Sequence, residues 1–342
     1  MKVLVTGDRG YIGTTLVPML IAQGYDVVGL DSGYFTRFLD ATSLSQYKKI
    51  TKDIRDVTGI DLKGIDAVIH LAGLSNDPMG ALDDGLTEKI NLEASIRLAK
   101  LAKKAGVKRF LFSSSCSIYG IGKEDVVNEL SPVNPLTAYA KSKIGTEDAL
   151  KKLADDSFIV GFLRNSTVYG YAPIFRDDLV VNNFTACAVA MGEIRVMSDG
   201  TPWRPLIDVR DLSNIFIEFL KIDGKKINAE IINIGFDENN FQVKTILDFV
   251  EKIVSDCRVI YTGEHGKDTR SYRVSFAKFR SLFPHIKQKW TLEKSIKDLV
   301  KHLKKGKYSK EDFLTHTYTR LHQLKLLKEE KKLSNDLFWN KK

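Results

Sequence analysis

The sequence predicts a doubly wound α/β fold, in which helices cover both faces of a mainly parallel sheet. Short apolar runs alternate with amphipathic stretches through the first half of the chain, which is the order of repeated strand–helix–strand units. The apolar runs are almost continuous in valine, isoleucine and leucine, as expected for strands that are buried on both faces. From about Leu163 the pattern loosens, which indicates a second, smaller region that is interleaved with the first.

The elements of the first half can be placed one by one. The predicted strands are KVLVTG (2–7), DVVGLD (26–31), DAVIHLAG (66–73) and RFLFSSS (109–115), and a further strand precedes Asp53. The predicted helices are TTLVPMLIAQGY (14–25), which closes at Gly24, and NLEASIRLAKLAKKAGV (91–107). Because strands and helices alternate, each helix is expected to connect two parallel strands.

The second half is harder to divide, because its segments belong to different parts of the fold. FIVGFLRNSTVYG (158–170) and RPLIDVRDL (204–212) are predicted to be strands that return to the main sheet. We therefore predict a sheet domain over residues 1–172, completed by parts of 204–238, and a smaller interleaved region over 173–308. The tail, residues 309–342, has leucine and tyrosine at helical spacing and is predicted to be a C-terminal helical extension that docks on the rest.

The charge pattern argues against nucleic-acid binding. The formal net charge is +9, but much of the excess lies towards the end of the chain, where lysines are interleaved with acids on a helical pattern. A nucleic-acid surface requires clustered basic residues with aromatic side chains between them. We expect a solvated helix face instead, and the positive field would also favour an anionic small-molecule substrate.

The sequence also lacks the marks of a membrane protein or a metal protein. No apolar run approaches the ~18 residues that a membrane-spanning helix requires. The three cysteines and six histidines have neither metal-ligand nor disulfide spacing. We therefore predict a cytoplasmic protein without a bound metal.

A glycine-rich turn near the start of the chain indicates a bound dinucleotide. In GDRGYIG the glycines are Gly7, Gly10 and Gly13, directly after a predicted strand and at the start of a predicted helix. Glycine is required where the backbone turns sharply, where it approaches a pyrophosphate and where the helix packs on the strand, and the helix N-terminus supplies free N–H groups. Since both neighbouring elements are present, the motif predicts a Rossmann-type nucleotide site.

Two residues bear on the choice of cofactor. Asp31 ends the second strand, where a carboxylate can accept hydrogen bonds from ribose hydroxyls and repel a 2′-phosphate, which favours NAD. Arg9 lies inside the turn, where a guanidinium could meet a 2′-phosphate and favour NADP. We give Asp31 the greater weight and predict NAD. Asp53, after the third strand, either contacts the adenine or is the N-cap of a short helix.

A serine-rich strand end and a tyrosine–lysine pair predict an acid–base site. Tyr139 and Lys143 in AYAKSK are four residues apart and therefore share one face of a predicted helix. A tyrosine with a pKa of about 10 is a poor base at neutral pH, but a lysine ammonium one turn away favours the phenolate. Upstream, FLFSSSCSIYG places five small residues, Ser113 to Ser117, at the end of a buried strand.

In combination these motifs resemble the extended short-chain dehydrogenase/reductases, and in particular the NAD-dependent epimerase/dehydratase group that acts on nucleotide sugars. The resemblance covers about residues 1–300. It rests on VTGDRGYIG, Asp31, DIRD (53–56), HLAG (70–73), Asn91, SSS…YG, YAKSK (139–143), LRNSTVYG (163–170), RPLIDVRDL and Trp290. The combination is specific for the fold and the cofactor, and much less specific for the reaction.

The resemblance implies roles for individual residues. In the family, the catalytic Ser or Thr stands four residues before the tyrosine of a VYG or IYG motif, and counting back from Tyr119 gives Ser115. The resemblance then implies that Ser115 bonds the sugar oxygen, that Tyr139 is acid and base, and that Lys143 tunes Tyr139. It implies NAD binding by Gly7, Gly10, Tyr11, Ile12, Gly13, Asp31, Asp53, Ile54, Leu71, Ala72, Gly73, Asn91, Ser113, Tyr139 and Lys143, and substrate binding by Asn165, Asn182, Arg204 and Arg270. Region 173–308 is then the substrate-binding region.

The residues after Ser115 bear on the reaction. Family 4,6-dehydratases carry Asp-Glu directly after the catalytic Thr, whereas this chain has Cys116 and Ser117. Relatives that epimerise at C3 and C5 place a cysteine where this chain has Ser117, and Cys116 is predicted to be a core residue, because a shift of one residue on a strand reverses the side chain. A 4-epimerase and a net 4-dehydrogenase or 4-ketoreductase both stay open. The alternatives are a 4,6-dehydratase and, from another class, a non-catalytic NAD-binding scaffold.

The resemblance also implies a substrate class and an assembly. The substrate is a nucleotide sugar, and similarity to a subgroup that makes capsule and lipopolysaccharide sugars indicates polysaccharide biosynthesis. Family members commonly form homodimers by pairing two helices of each subunit into a four-helix bundle. The corresponding segments are NLEASIRLAKLAKKA and YAKSKIGTEDALKKL, with Leu98, Ala102, Ala140, Ile144 and Leu150 as the predicted apolar surface.

Overall fold

The computed structural model describes residues 1–36, 46–75, 83–121, 124–196, 198–262 and 270–340. The strands are β1 (Lys2–Thr6), β2 (Asp26–Asp31), β3 (Lys48–Thr51), β4 (Ala67–His70), β5 (Arg109–Ser115), β6 (Ile159–Asn165), β7 (Thr167–Tyr169), β8 (Glu193–Val196), β9 (Trp203–Asp208), β10 (Glu230–Ile234), β11 (Asn240–Gln242) and β12 (Arg258–Tyr261). The α-helices are α1 (Gly13–Ala22), α2 (Asp84–Thr87), α3 (Ala94–Lys104), α4 (Ala138–Lys151), α5 (Val180–Met191), α6 (Val209–Lys221), α7 (Val243–Ile253), α8 (Ala277–Leu282), α9 (Leu292–Lys305), α10 (Lys310–Leu314) and α11 (Arg320–Glu329). A π-helical stretch, Glu88–Glu93, joins α2 to α3, and two short 3-10 helices, Ile54–Asp56 and Cys116–Tyr119, lie close to the site described below.

Seven strands form one parallel sheet in the order β10-β6-β5-β4-β1-β2-β3. The strand order reverses between β1 and β4, because the chain runs outward from β1 to β3 and then continues on the other side with β4. In a doubly wound sheet, ligands bind in the crevice that such a reversal opens at the carboxyl ends of the strands. The predicted fold class is therefore confirmed, and β1 and β4 locate the crevice.

Each face of this sheet has its own helices and its own hydrophobic core. On one face, α3 and α4 pack around Leu98, Phe110 and Phe162, which are fully buried. On the other face, α1 and α6 pack around Leu16 and Phe216, which are equally buried. Burying one side chain of this size stabilises a fold by ~1.5–3 kcal/mol. Both helical layers are therefore held to the sheet by apolar packing, as the continuous apolar strands predicted.

The second half of the chain contributes to both parts of the fold. β10 pairs with β6, and α6 packs on α1, so residues 209–234 belong to the main sheet domain. β9 does not join the main sheet, and the prediction for RPLIDVRDL is wrong in this respect, because β9 lies between β7 and β11 in a separate three-stranded sheet. α6 begins at once after β9, because the Asp208 carboxylate accepts a hydrogen bond from the N–H of Arg210 (2.9 Å). A third core, where α5, α7 and α9 meet, lies within region 173–308.

The C-terminal tail forms α10, which packs on α5 at the third core, and α11, which packs on the main sheet domain. Leu324, Leu333 and Leu337 are buried in the same core as α3. The indole N–H of Trp339 donates a hydrogen bond to the carbonyl oxygen of Ser32, one residue beyond β2 (2.6 Å). The tail therefore lies against the residues that follow β2.

The apolar residues predicted to form a dimer surface are buried within the subunit. Leu98, Ala102, Ala140 and Leu150 are at most 2% exposed, and Ile144 is half-buried. These residues belong to the cores beneath α3 and α4, because the apolar faces of both helices pack on the sheet. The prediction is therefore wrong for Leu98, Ala102, Ala140 and Leu150, and for the half-buried Ile144 it stays a prediction. The outward side of α3 carries Ile96 and Leu101 among charged residues instead.

Candidate active site

The glycine turn joins β1 to α1 at the reversal of strand order. Gly7 has a φ angle of +75°, and a Cβ atom on Gly7 would lie 3.0 Å from the backbone nitrogen of Ala72. A Cβ atom on Gly13 would lie 2.2 Å from the carbonyl oxygen of Gly7, so only glycine fits there. α1 begins at Gly13 without a side-chain cap. The turn therefore presents uncapped N–H groups in a tight backbone, which is the donor set that a pyrophosphate requires.

The segment after β4 forms the other wall of the crevice. The close approach of Gly7 brings the backbone of Leu71 and Ala72 against the turn. Asn91 holds this segment in place, because its Oδ1 accepts a hydrogen bond from the N–H of Leu74 (2.7 Å) and its Nδ2 donates to the carbonyl oxygen of Leu74 (3.0 Å). Asn91 therefore positions the Gly73 segment, and a direct contact of Asn91 with the cofactor finds no support in this geometry.

Asp31 ends β2 and is engaged by the glycine turn. Its carboxylate accepts hydrogen bonds from the N–H groups of Gly33 (2.6 Å) and Arg9 (3.3 Å). The Arg9 guanidinium donates to the carbonyl oxygen of Asp31 (2.6 Å) and is thereby tied to the strand end. Burial raises the pKa of the Asp31 carboxyl, and the two N–H groups and Arg9 oppose that rise. This arrangement keeps an acceptor beside the turn, as NAD requires.

Of the other predicted cofactor residues, Tyr11 and Ile12 lie in the glycine turn, whereas Asp53 and Ile54 lie in or beside a short 3-10 helix. Tyr11 donates its hydroxyl to the carbonyl oxygen of Gly170 (2.6 Å), which joins the turn to the end of β7, and Ile12 precedes α1. Asp53 is the N-cap of a 3-10 helix, because it accepts a hydrogen bond from the N–H of Arg55 (2.8 Å), and it also binds the Arg55 guanidinium. Ile54 is buried in the core beneath the tail. The N-cap alternative for Asp53 is thus present in the structure, and the adenine contact stays a prediction.

Asp8 is a buried carboxylate that no sequence pattern singled out. Its Oδ2 accepts a hydrogen bond from the Tyr47 hydroxyl (2.6 Å), and its Oδ1 has no hydrogen-bond partner in the part of the chain that the structure describes. Burial and the nearby Asp31 raise the pKa of Asp8 to about 6. The only sequence signal was an acidic residue inside the glycine turn, and the fold alone brings Tyr47 and Asp31 to it.

We expect Asp8→Asn to stabilise the protein at neutral pH. Asp8 binds its proton more tightly in the folded protein, with a pKa of about 6, than an unfolded aspartate does at ~3.9. The folded state therefore loses stability as the pH rises from about 4 to about 6, by ~3 kcal/mol. Asparagine does not ionise, so the variant should exceed the wild type in unfolding free energy at pH 8 and lose that advantage at pH 4.5. Urea unfolding at the two pH values measures this, with the exposed Asp256→Asn as the control. A difference that does not change with pH would contradict the prediction.

Ser115 and Tyr139 come from two elements at the carboxyl edge of the sheet. Ser115 is the last residue of β5, and its Oγ accepts a hydrogen bond from the N–H of Ser117 (3.1 Å) and donates to the Ser117 hydroxyl (2.9 Å). Tyr139 lies in the first turn of α4, which begins where the Thr137 hydroxyl accepts a hydrogen bond from the N–H of Ala140 (3.1 Å). Ser115 and Tyr139 are both partly exposed at this edge.

Lys143 is buried between β5 and α4. Its ammonium donates a hydrogen bond to the carbonyl oxygen of Ser113 (2.8 Å) and lies 5.5 Å from the centre of the Tyr139 ring. Burial lowers the pKa of Lys143 to about 8, and the neighbouring Glu147 opposes that decrease. The hydrogen bond to Ser113 thus fixes the Lys143 ammonium beside Tyr139, on the helix face that the four-residue spacing predicted.

The remaining small residues of the run point into the protein. Ser113 accepts a hydrogen bond from the Asn165 amide (2.9 Å), and Ser114 donates to the Glu147 carboxylate. Cys116 is 1% exposed and donates its thiol to the carbonyl oxygen of Arg164 (3.1 Å). The prediction of Cys116 as a core residue is confirmed, and Ser115 is the residue of β5 that leaves its hydroxyl at the open edge.

The four predicted substrate residues have different environments. Asn182 is fully buried, and its amide bonds to the backbone of Gly170 and Arg176 and to the Tyr11 hydroxyl, so the prediction of a substrate contact is replaced by a structural role. Asn165 has an Oδ1 without a hydrogen-bond partner among the described residues. Arg204 donates to the carbonyl oxygens of Trp203 and Arg270, and substrate binding by Arg204 and Arg270 stays a prediction.

Arg176 is a further charged residue of the crevice that no motif indicated. It forms an ion pair with Asp178 (2.8 Å) and donates to the Ser75 hydroxyl (3.0 Å), two residues beyond Gly73. It also interacts electrostatically with Tyr11 and Tyr139. Arg176 therefore lies beside the segment that follows Gly73.

Neither a metal site nor a membrane span is found in the described ranges. No group of three or more His, Cys, Asp and Glu side chains there could hold a metal ion, and His265 lies outside these ranges. Over the same residues, no helix is both long and apolar enough to span a bilayer. The site offers N–H groups, hydroxyls and cations as hydrogen-bond donors and the Asp31 carboxylate as an acceptor, and this set fits a dinucleotide between Asp31 and Tyr139.

Comparisons with known proteins agree with this architecture. The model of the NAD dependent epimerase/dehydratase family matches residues 3–235. The UDP-glucose 4-epimerase of Mycolicibacterium smegmatis is 30% identical over 249 residues, which are 69% of this chain and 77% of the relative. The solved UDP-glucuronic acid 4-epimerase from Bacillus cereus, in complex with UDP-glucuronic acid and NAD, is 24% identical, with a TM-score of 0.77 over 89% of this chain and 99% of that one. An NAD-dependent NDP-hexosamine 5,6-dehydratase of tunicamycin biosynthesis is 22% identical, with a TM-score of 0.78 over 89% and 98%. The fold is therefore shared by epimerases and a dehydratase.

Proposed function

The chain belongs to the NAD-dependent epimerase/dehydratase family, whose cofactor is NAD, and on that premise we propose that it is a nucleotide-sugar 4-epimerase. The observation that carries the proposal is the placement of Ser115, Tyr139 and Lys143 at the carboxyl edge of β5, without a carboxylate pair after Ser115. A net 4-dehydrogenase or 4-ketoreductase would use the same residues and differs only in the fate of the hydride.

The proposed chemistry is confined to the C4 carbon and its oxygen. Held by the glycine turn and Asp31, NAD would supply reversible hydride transfer at C4. Tyr139, as a phenolate, accepts the proton of the C4 hydroxyl, while the Ser115 hydroxyl holds the same oxygen by a hydrogen bond. The Lys143 ammonium favours the phenolate by its charge. After the resulting ketone has presented its other face, Tyr139 returns the proton to the oxygen, so the sugar is isomerised without net oxidation.

Dehydration is disfavoured by the residues that follow Ser115. Eliminating water across the next two carbons needs an acid and a base beside the ketone. Burial raises the pKa of the Cys116 thiol far above neutral pH and removes it from the open edge of the sheet. Ser117 bonds Ser115 instead. Neither residue therefore supplies the proton transfers of a dehydratase.

The substrate we propose is a uridine diphosphate hexose. The named relatives act on UDP-glucose and UDP-glucuronic acid. Support within this chain comes from Arg204, whose guanidinium lies beside the backbone of Arg270, because guanidinium groups suit a diphosphate. The positive net charge of the chain would favour the approach of such an anion.

A panel of nucleotide sugars tests the reaction. The protein is incubated with each sugar and NAD, the absorbance of NADH is followed, and the stereochemistry and mass of the product are determined. Isomerised sugar without accumulating NADH is the expected result. Stoichiometric NADH would instead identify a dehydrogenase, and a product lighter by one water a dehydratase. Binding of NAD without turnover of any sugar would favour a scaffold protein.

The homodimer stays a prediction, but the surface proposed for it is now a different one. Since four of the five residues first assigned to it are buried in the subunit, the outward side of α3 is the part of this helix that a partner could meet. Size-exclusion chromatography with light scattering at micromolar concentration measures the mass of the protein in solution. A monomeric mass would contradict the predicted homodimer.

A further inference from the structure

The segment that follows α11 folds back on itself as a closed turn, residues 331–340, called here the C-terminal turn. The N–H of Leu337 donates a hydrogen bond to the carbonyl oxygen of Ser334 (3.0 Å), and the N–H of Ser334 donates to the carbonyl oxygen of Phe338 (2.8 Å). Leu337 is fully buried and has a φ angle of +59°, a left-handed conformation that is costly for leucine. Because such a conformation persists only where the surrounding contacts enforce it, the turn is a defined element of the fold.

The C-terminal turn lies at the carboxyl end of β2. β2 and β3 are neighbours, with Asp31 opposite Thr51, so the residues that follow these two strands lie side by side. The indole N–H of Trp339 donates a hydrogen bond to the carbonyl oxygen of Ser32, the residue after Asp31 (2.6 Å). The centre of the Trp339 ring system lies 5.9 Å from the centre of the Tyr34 ring. The turn therefore contacts the end of the β2 segment directly.

Tyr34 and Arg55 connect the C-terminal turn to Asp53, which follows β3. The Tyr34 hydroxyl shares its proton between the Asp53 carboxylate (3.1 Å) and the carbonyl oxygen of Leu337. The Arg55 guanidinium binds the Asp53 carboxylate through Nε (2.9 Å) and Nη2 (2.8 Å), and it lies 3.6 Å from the centre of the Phe338 ring. With the N–H of Arg55, these donors occupy the roughly four acceptor positions of the carboxylate. Asp53 is thus fixed by two residues that the turn itself contacts.

The helix α11 brings the C-terminal turn to this position. Leu324 of α11 is fully buried in the core that also buries α3, and Tyr34 and Phe35 pack against the same core. Arg320, at the start of α11, is 2% exposed, and its guanidinium lies 4.2 Å from the centre of the Phe35 ring, within the range of a cation–π contact. These contacts hold the tail against the residues that follow β2, so the position of the turn relative to the main sheet is fixed.

We propose that the C-terminal turn is part of the NAD site, as the outer support of the wall that binds the adenosine half of the cofactor. Ligands of a doubly wound sheet bind at the carboxyl ends of the strands, and Asp31 offers the acceptor for the ribose there. The turn acts on this wall through its contacts with Ser32, Tyr34 and Arg55, so its residues are positioning residues. The inference rests on the cofactor of the family and is independent of the reaction proposed above.

The test measures the binding of NAD, AMP and nicotinamide mononucleotide to the full-length protein freed of bound cofactor, by calorimetric titration. Trp339→Ala is compared with the wild type and with Tyr261→Ala. Trp339 is 44% exposed, and Tyr261 is a matched control, because it is a 51% exposed aromatic residue of β12, outside the main sheet. We expect Trp339→Ala to weaken NAD and AMP about tenfold, since it loses one hydrogen bond and one aromatic contact, and to leave nicotinamide mononucleotide unchanged. The control should bind all three ligands as the wild type does.

Hydrogen exchange in the wild-type protein is a second measurement that needs no variant. Because coupling between two sites is reciprocal, a ligand that the C-terminal turn helps to bind must also stabilise the turn. At saturating AMP, the amides of residues 331–340 should therefore exchange about tenfold more slowly than in the free protein. The amides of β12 should not change, and nicotinamide mononucleotide should leave both segments unchanged.

Three outcomes would overturn the proposal. Unchanged affinity of Trp339→Ala for AMP would remove the C-terminal turn from the adenosine site. An equal loss for AMP and nicotinamide mononucleotide would show that the turn only stabilises the fold. Exchange in residues 331–340 that saturating AMP does not slow would refute the proposal even if Trp339→Ala fails to fold. No sugar is present, so the result does not depend on the reaction.

Discussion

Replacing Tyr139 by phenylalanine should lower the turnover of the sugar substrate by about 10³-fold and leave NAD bound. The substitution removes the hydroxyl that transfers the proton, and such general acid–base groups contribute ~10²–10⁴-fold to a rate. It keeps the ring, which lies 5.5 Å from the Lys143 ammonium, so the first turn of α4 and the crevice should retain their shape. The rate is measured by following sugar isomers, and NAD binding by titration.

The half-buried Tyr25 offers a matched control for this prediction. It lies just before the amino end of β2, at the edge of the sheet opposite the crevice, so Tyr25→Phe should change the rate less than twofold. Full activity in Tyr139→Phe would refute the proposed mechanism. A loss of NAD binding together with the rate would instead show that Tyr139 supports the structure of the crevice.

Breaking the buried ion pair between Arg164 and Glu147 should destabilise the protein by ~3–5 kcal/mol. Their side chains are 5% and 3% exposed, and Nη2 of Arg164 lies 2.7 Å from Oε2 of Glu147. Arg164→Leu would leave the Glu147 carboxylate in the core with the Ser114 hydroxyl as its remaining partner among the described contacts. The pair joins β6 to α4, and α4 carries Tyr139 and Lys143, so the variant should also lose activity.

Two further variants show whether the unpaired charge is the cause. Removing both partners, in Arg164→Leu with Glu147→Leu, should recover part of the lost stability, because the carboxylate is then no longer buried without Arg164, while the buried Lys143 ammonium loses Glu147 as its neighbouring anion. The exposed pair Lys297–Glu293 is the control, and Lys297→Leu should cost less than about 1 kcal/mol. Urea unfolding measures all three. A loss of the same small size in Arg164→Leu would contradict the prediction.

Much of the site could be predicted because its parts are local in the chain. The glycines of the turn lie within seven residues, Tyr139 and Lys143 within one helical turn, and Ser115 at the end of an apolar run. In each case the strand or helix was recognisable from its periodicity, and the geometry of that element determines where the side chain points. The structure accordingly places all three predicted catalytic residues at the carboxyl edge of the main sheet.

Other predictions were wrong where the same sequence pattern is compatible with two different packing partners. Apolar residues on α3 and α4 could face either a second subunit or the sheet, and helical spacing is the same in both cases. Likewise, RPLIDVRDL has the pattern of a strand whichever sheet it joins. Asn182 is polar, and its sequence position does not show that Gly170, Tyr11 and Arg176 use its whole amide. Packing over long sequence distances settled each case.

By itself the sequence determined the doubly wound fold, the NAD turn and the Ser115, Tyr139 and Lys143 positions, because each depends on spacing within one or two neighbouring elements. Only the tertiary structure decided the environment of Asp8, the role of Asn182 and the place of Arg320. Arg320 follows the glycine turn by more than 300 residues and is a residue of an apparently solvated tail until the tail docks. Its burial depends on the packing of the tail, and no local pattern records that packing.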